Sequence, residues 1–170
     1  MFVFETNYGS FTVELDFANA PISSKNFQNY ADSGFYDGTI FHRVIPGFMI
    51  QGGDPNTRST NRASYGTGGH AAKYYGIGDE ASKNTWNLPA EFNKIRHTRG
   101  ILSMARSNDP NSGGSQFFIC AADAPHLDGQ YTVFGKVTKG MELIDKIKKG
   151  NDPNGSVENP DKIISFSVIK

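Results

Sequence analysis

The sequence predicts a mainly β protein of seven or eight short strands with a helix near each end. The arrangement that suits it is a closed antiparallel β-barrel capped by two α-helices. Three observations lead there. Short stretches in which apolar and polar residues alternate recur along the chain. Aromatic residues make up 12% of it, 13 of them Phe, and 19 Gly supply tight turns. Only two segments show helical spacing. A closed barrel removes the sheet edges through which strands pair with other chains, although a sandwich would satisfy the same alternation.

Taken in order, Phe2 to Glu5 and Phe11 to Asp16 alternate around Asn7-Tyr8-Gly9 and read as a β-hairpin, which ties the N-terminus into a sheet. Pro21 opens a helix with Phe27, Tyr30 and Ala31 at helical spacing and Gly34 as its C-terminal cap. Residues 40–45 and 48–51 are two strands broken by Pro46-Gly47. From Gly52 to about Arg99 the chain is rich in Gly, Asn, Ser and Thr, and periodicity fades apart from Leu88 to Phe92. Loops this long in a compact domain are often functional. Strand signals return at Gly100 to Ala105, Ser115 to Ala121 and Thr132 to Val137, separated by the turn-rich segments 107–114 and 127–130. A second helix, Gly140 to Lys149, places Met141, Ile144 and Ile147 on one face and clusters lysines in its last turn, where the helix dipole favours them. Ile163 to Ile169 alternates as a final strand. A chain of 170 residues buries roughly 70% of its unfolded surface, so one domain over 1–170 is expected.

Seventeen basic residues balance seventeen acidic ones, which leaves no overall field to attract nucleic acid or an anionic membrane. Residues 1–15 lack the pattern of a signal peptide and no run of 18 apolar residues occurs, so a cytoplasmic location is expected unless a leader has been removed. The single Cys120 excludes an internal disulfide, and its setting Phe-Phe-Ile-Cys-Ala reads as a buried strand rather than a catalytic thiol. Several motifs carry no chemistry. Gly66 to Ala71 matches a loose dinucleotide pattern but lacks the strand and helix that would use it. His42, His70, His97 and His126 share no metal-ligand spacing, and Asp152 to Glu158 puts its glycine at the wrong place for a calcium loop. There is no nucleophile elbow. Neither a metal nor a cofactor is expected.

What remains is Phe-His-Arg-Val-Ile-Pro-Gly-Phe-Met-Ile-Gln-Gly-Gly-Asp, residues 41–54, where Arg43 sits in an apolar run although a charge is expensive to desolvate. Strand alternation puts Phe117 and Ile119 on one face and Gln116, Phe118 and Cys120 on the other. At 40–45 it puts Ile40, His42 and Val44 on one face, with Phe41, Arg43 and Ile45 opposite. Both faces are apolar in part. In a barrel, one face fills the interior, so the second is an exposed apolar patch with a few polar groups, which is what binding sites look like. Alternation also sets Phe48 opposite Met49 and Gln51, so Pro46-Gly47 has to reorient it if all three meet one ligand. A blander reading stays open: Arg43 pairs with a carboxylate, and Gln51 and Gln116 are solvated strand residues.

The motifs FHRVIPGFMIQGGD, SMARS and SQFFICAADAPHLDGQYTVFGKV, in this order, resemble the cyclophilin family of peptidyl-prolyl isomerases, and the resemblance runs from the first hairpin to the last strand. It implies an eight-stranded antiparallel barrel capped by two helices, an active groove on the outer barrel wall, and cis/trans isomerisation of Xaa-Pro bonds. It implies Arg43 as the catalytic arginine and Gln51 as the residue that holds the substrate backbone. By the same resemblance, Phe48, Met49, Phe118 and Leu127 form the proline pocket and His42 lines the groove. Ala105, Arg106 and Ser107 take the residues before the proline, Arg106 more through its backbone than its side chain. Gln116 and the loop Gly66 to Gly69 border the groove. His126 stands where many members have a tryptophan that hydrogen-bonds cyclosporin, and Tyr131 where the family has a pocket histidine. Cyclosporin binding is therefore expected to be weakened. Segments 55–65 and 72–87 are longer than in compact members.

The implied partners are proline-containing unfolded or flexible polypeptides, met by a monomer that assists folding as a chaperone does. Twisting an Xaa-Pro bond breaks amide resonance and localises a lone pair on nitrogen, so a fixed donor there stabilises the twisted state above either planar isomer. A guanidinium supplies such a donor across the whole working pH range, and activity nearly flat between about pH 6 and 8 is expected. The competing class is a non-catalytic proline-peptide binding module using the same groove.

Overall fold

In a computed structural model that describes all 170 residues, the alternating segments become eight strands. These are β1 (Phe2–Thr6), β2 (Gly9–Leu15), β3 (Arg43–Ile45), β4 (Met49–Gly52), β5 (Ile101–Met104), β6 (Phe117–Cys120), β7 (Val133–Lys139) and β8 (Ile163–Val168). They form one antiparallel sheet in the order β3-β4-β6-β5-β7-β2-β1-β8. The hairpin of β1 and β2 lies where alternation predicts it. The sheet curls until its edges meet, yet no ladder joins β3 to β8. The seam is held by the segment before β3: Ile40 bridges Lys162, the Phe41 N–H donates to Asp161 O at 3.0 Å, and the Ile163 N–H donates to Thr39 O at 2.8 Å.

Side chains of one parity fill the interior. Phe4, Phe11, Phe117, Phe134 and Phe166 are buried there, with the rings of Phe4 and Phe166 4.2 Å apart. Helix α1 (Pro21–Ser33) seats Phe27 among these rings, against Phe4, Phe117, Phe134 and Phe166. Pro21 starts it, where a missing N–H costs nothing, and Gly34 ends it at φ 67, a left-handed conformation that a Cβ disfavours. The Gly34 and Phe35 N–H groups then cap the carbonyls of Ala31 and Tyr30.

Two expectations need correction. Helix α2 covers Met141–Ile144 only, not Gly140 to Lys149. Beyond it the Lys146 and Ile147 N–H groups bond three residues back, and the Lys148 N–H is captured by the buried carboxylate of Asp161 at 2.7 Å. The apolar face holds even so, since Ile144 and Ile147 are buried. The second correction concerns residues 40–45, of which only 43–45 are strand. Phe41 lies in the interior with Val44, not beside Arg43, because the chain at 40–41 bonds to the seam and loses the two-residue repeat.

Candidate active site

The antiparallel register of β3, β4, β6 and β5 lines up Arg43 with Gln51, Gln51 with Phe118, and Phe118 with Ser103. The next row pairs Ile45 with Met49 and Met49 with Cys120. Register partners share a face of the sheet, and this face is the outer one. Met49, Ile101, Phe118, Cys120, Ala124, Leu127 and Val133 form a second apolar cluster on it, separate from the interior core, with Phe48, Ala105 and Tyr131 packed against its edge. The wall that carries Arg43 is thus apolar on both sides. Gly47, at φ 69, makes the tight turn that returns Phe48 to the side of Met49 and Gln51, the reorientation that strict alternation demands.

A groove of about 760 Å³ lies against this cluster. His42, Arg43, Phe48, Met49, Gln51 and Gly66 line one part of it, and Ala105, Arg106, Phe118, Leu127 and Tyr131 line another. Ser107 and Gln116 open onto an adjoining cavity of about 300 Å³, which shares Gln51, Gly66, Ala105 and Arg106 with the groove. The wall of this smaller cavity also holds Thr67, Gly68 and Gly69, so the whole expected loop borders the site. His126 lines neither cavity: it is exposed, with its ring 5.3 Å from that of Phe48.

Arg43 forms no ion pair; the chain's five lie elsewhere. Its Nε donates to Asn154 O at 2.9 Å and its Nη1 to Gln51 Oε1 at 3.2 Å. Gln51 Nε2 then donates to Gln116 Oε1 at 3.0 Å, and Gln116 Nε2 to the carbonyls of Gly66 and Gly68 at 3.0 and 2.8 Å. The blander reading fails on both counts, since no carboxylate neutralises Arg43 and the two glutamines are links in a chain that orients it. Such a guanidinium, held from two directions beside an apolar wall, keeps a strong field toward the groove.

Arg106 is folded back. Its guanidinium lies 4.4 Å from the Tyr131 ring centre and donates to Gln130 O and Ser107 O, while its backbone N–H and C=O take no part in the strand or turn hydrogen bonds. His42 is held below the ordinary histidine pKa chiefly by burial, and its Nδ1 is buried without a partner. Burial pushes the Cys120 thiol up to about 12, which removes it as a nucleophile.

Sequence reasoning missed two sets of residues. Arg62, Ala63 and Tyr65 from one loop, and Asn154, Ser156 and Val157 from another, complete the groove. The first loop falls in the long aperiodic segment that suggests function; the second carries no signal. Behind the pocket, buried His97 sits between Asp128 Oδ1 at 3.2 Å and Ser103 Oγ at 3.0 Å, and its ring stacks 6.1 Å from Phe118. Burial holds His97 below the usual pKa, and the His97 N–H holds Asp128 below the usual carboxylate range. Ser103 is fully buried, so this trio supports Phe118 and is no hydrolytic triad. Asp128 lies 31 positions from His97, beyond any local pattern. Of the longer segments, 55–65 reaches the groove, whereas 72–87 contributes only Asn87, to the smaller cavity.

Comparison with known proteins identifies the family. The family model described as cyclophilin type peptidyl-prolyl cis-trans isomerase matches residues 1–168. A probable peptidyl-prolyl cis-trans isomerase of Brucella suis is 45% identical over 165 residues, covering 94% of this chain and 78% of that protein. A peptidyl-prolyl cis-trans isomerase-like 1 of Aspergillus niger is 46% identical over 172 residues, covering 98% of this chain and 93% of that one. Among solved structures, a cyclophilin of Cryptosporidium parvum, crystallised in the presence of the dipeptide Ala-Pro, superposes with a TM-score of 0.80 at 32% identity and covers 99% of this chain and 98% of its own. The chain belongs to the cyclophilin-type peptidyl-prolyl cis-trans isomerases.

Proposed function

We propose that the groove holds an Xaa-Pro bond of a flexible or unfolded polypeptide and that Arg43 stabilises its twisted state. The observation that carries this reading is the guanidinium with no ion pair, held by Gln51 and Asn154 at the edge of an apolar wall. The proline ring rests on Phe48, Met49, Phe118 and Leu127. The free backbone groups of Arg106 pair with the residue before the proline, as an added strand would. As the acyl side rotates, the imide nitrogen gains basicity, and an Arg43 N–H directed at it lowers a barrier of about 18 to 20 kcal/mol. No nucleophile or group transfer is needed. Gln51 holds the substrate backbone while remaining tied to Arg43.

In the same reading, residues 1–170 act as a single domain and a monomer, in the cytoplasm, and assist folding of other chains. Cyclosporin binds weakly, because His126 has no indole N–H to offer at the groove's edge. The test is exchange spectroscopy on an Ala-Pro peptide with catalytic amounts of protein. Acceleration over the spontaneous exchange, which takes tens to hundreds of seconds, is expected. Binding without acceleration would overturn the reading in favour of a non-catalytic module.

A further inference from the structure

Half of the chain's six arginines, Arg43, Arg62 and Arg106, line the groove, and no Asp or Glu does, although the chain as a whole carries equal numbers of basic and acidic residues. None of the three is in an ion pair. The nearby carboxylates do not neutralise them. Asp54 is buried and accepts the N–H groups of Asn56, Gly66 and Gly68; Asp152 accepts the Ser156 N–H; Glu158 is exposed, outside the groove wall.

The three guanidiniums are not equivalent. Arg106 is committed to Gln130 and Ser107 and stacked on Tyr131, and Arg43 is tied to Gln51 and Asn154. Arg62 makes one bond, from Nη2 to Val157 O at 2.7 Å. Of the five N–H groups a guanidinium carries, this leaves four without a protein acceptor. One bond anchors the group, and the rest remain for a ligand. Its position along the groove is also defined. Arg62, Asn154 and Val157 line the main groove but not the smaller cavity, which joins it at Gln51, Gly66, Ala105 and Arg106. Carbonyls of the same loop, Asn154 O and Val157 O, hold Arg43 and Arg62, whereas Arg106 is held by Gln130 and Ser107. With the residues before the proline on Arg106 in the proposed reading, those after it run along the 154–157 loop.

We infer that this isomerase prefers substrates with an Asp or Glu side chain after the proline, and that Arg62 is the residue that sets the preference. The inference rests on the proposed reading of the groove. A planar fork with free donors suits a carboxylate, and no acidic side chain lines the groove to compete for it.

The experiment compares kcat/KM, by exchange spectroscopy, for peptides with Ala-Pro-Glu, Ala-Pro-Gln and Glu-Pro-Gln at their centres. At low salt the first is expected to exceed the second by about three- to fivefold, as for a partly exposed ion pair. The ratio should shrink at about 0.5 M salt, where charges are screened over a few ångströms. Arg62→Gln should collapse the ratio toward one, while Arg58→Gln, away from the groove, should leave it unchanged. Failure to turn over any peptide would overturn the isomerase reading itself. Turnover with equal rates for Glu and Gln would overturn only the charge preference. A ratio that survives Arg62→Gln would remove Arg62 as its origin, and a larger effect with Glu before the proline would overturn the assigned position.

Discussion

Replacing Arg43 by Ala removes the charged group that Gln51 and Asn154 hold from two directions beside the proline pocket. The structure bounds the effect. A fixed donor in a water-excluding site contributes about 2.7 to 4 kcal/mol to a developing charge. Arg43 is only half-buried and its groove is open, so part of that is lost to solvent. An expected fall in kcat/KM of about tenfold to a hundredfold corresponds to about 1.4 to 2.7 kcal/mol of barrier. The fold should hold, because the substitution breaks two hydrogen bonds and no ion pair; bonds to a charged group contribute about 1.5 to 3 kcal/mol each, and less for groups open to water. Exchange spectroscopy on an Ala-Pro peptide gives the rate, and urea unfolding gives the stability. Arg43→Lys keeps the charge but cannot reach Gln51 and Asn154 with one planar fork, so it should fall between wild type and Ala. Unchanged turnover in a folded Arg43→Ala protein would refute Arg43 as the catalyst.

Other outcomes follow from the same structure. Burial lowers the pKa of His42 and His97 in the folded state, so the unfolded chain binds protons more readily as pH falls. Their contribution is complete above about pH 6.5 and is lost below it, at up to about 1.4 kcal/mol per pH unit for each histidine. Lowered carboxylates at Asp128, Asp145 and Asp152 extend the loss at more acidic pH. Urea midpoints that stay constant from about pH 7 to 5 would contradict this. Phe27→Ala, emptying a site among four other Phe rings, should destabilise by about 3 to 5 kcal/mol; a loss below about 1 kcal/mol would mean that the core collapses into the space. His126→Trp should tighten cyclosporin binding by about tenfold, read by titration calorimetry, through burial and a new N–H donor. No gain would show that the groove's edge does not limit that ligand.

Local chemistry makes much of this protein legible in the sequence. The two-residue repeats of β1, β2 and β6 mark their faces because each side chain's direction depends only on its neighbours. Pro21 and Gly34 mark the ends of α1 for the same reason. Even the anomaly of Arg43 is visible there, as is the second apolar face carried by Phe118 and Cys120. Tertiary structure decides what those residues meet. The register that aligns Arg43, Gln51 and Phe118 is set across three strands, and Arg62 joins Val157 over 95 positions, a distance no sequence window spans. The seam at Asp161 turns Phe41 inward, and the Asp161 carboxylate ends α2's path at Lys148. The entropy lost in bringing such distant segments together is offset only when the barrel closes as a whole, so these contacts are properties of the closed fold and of no segment alone.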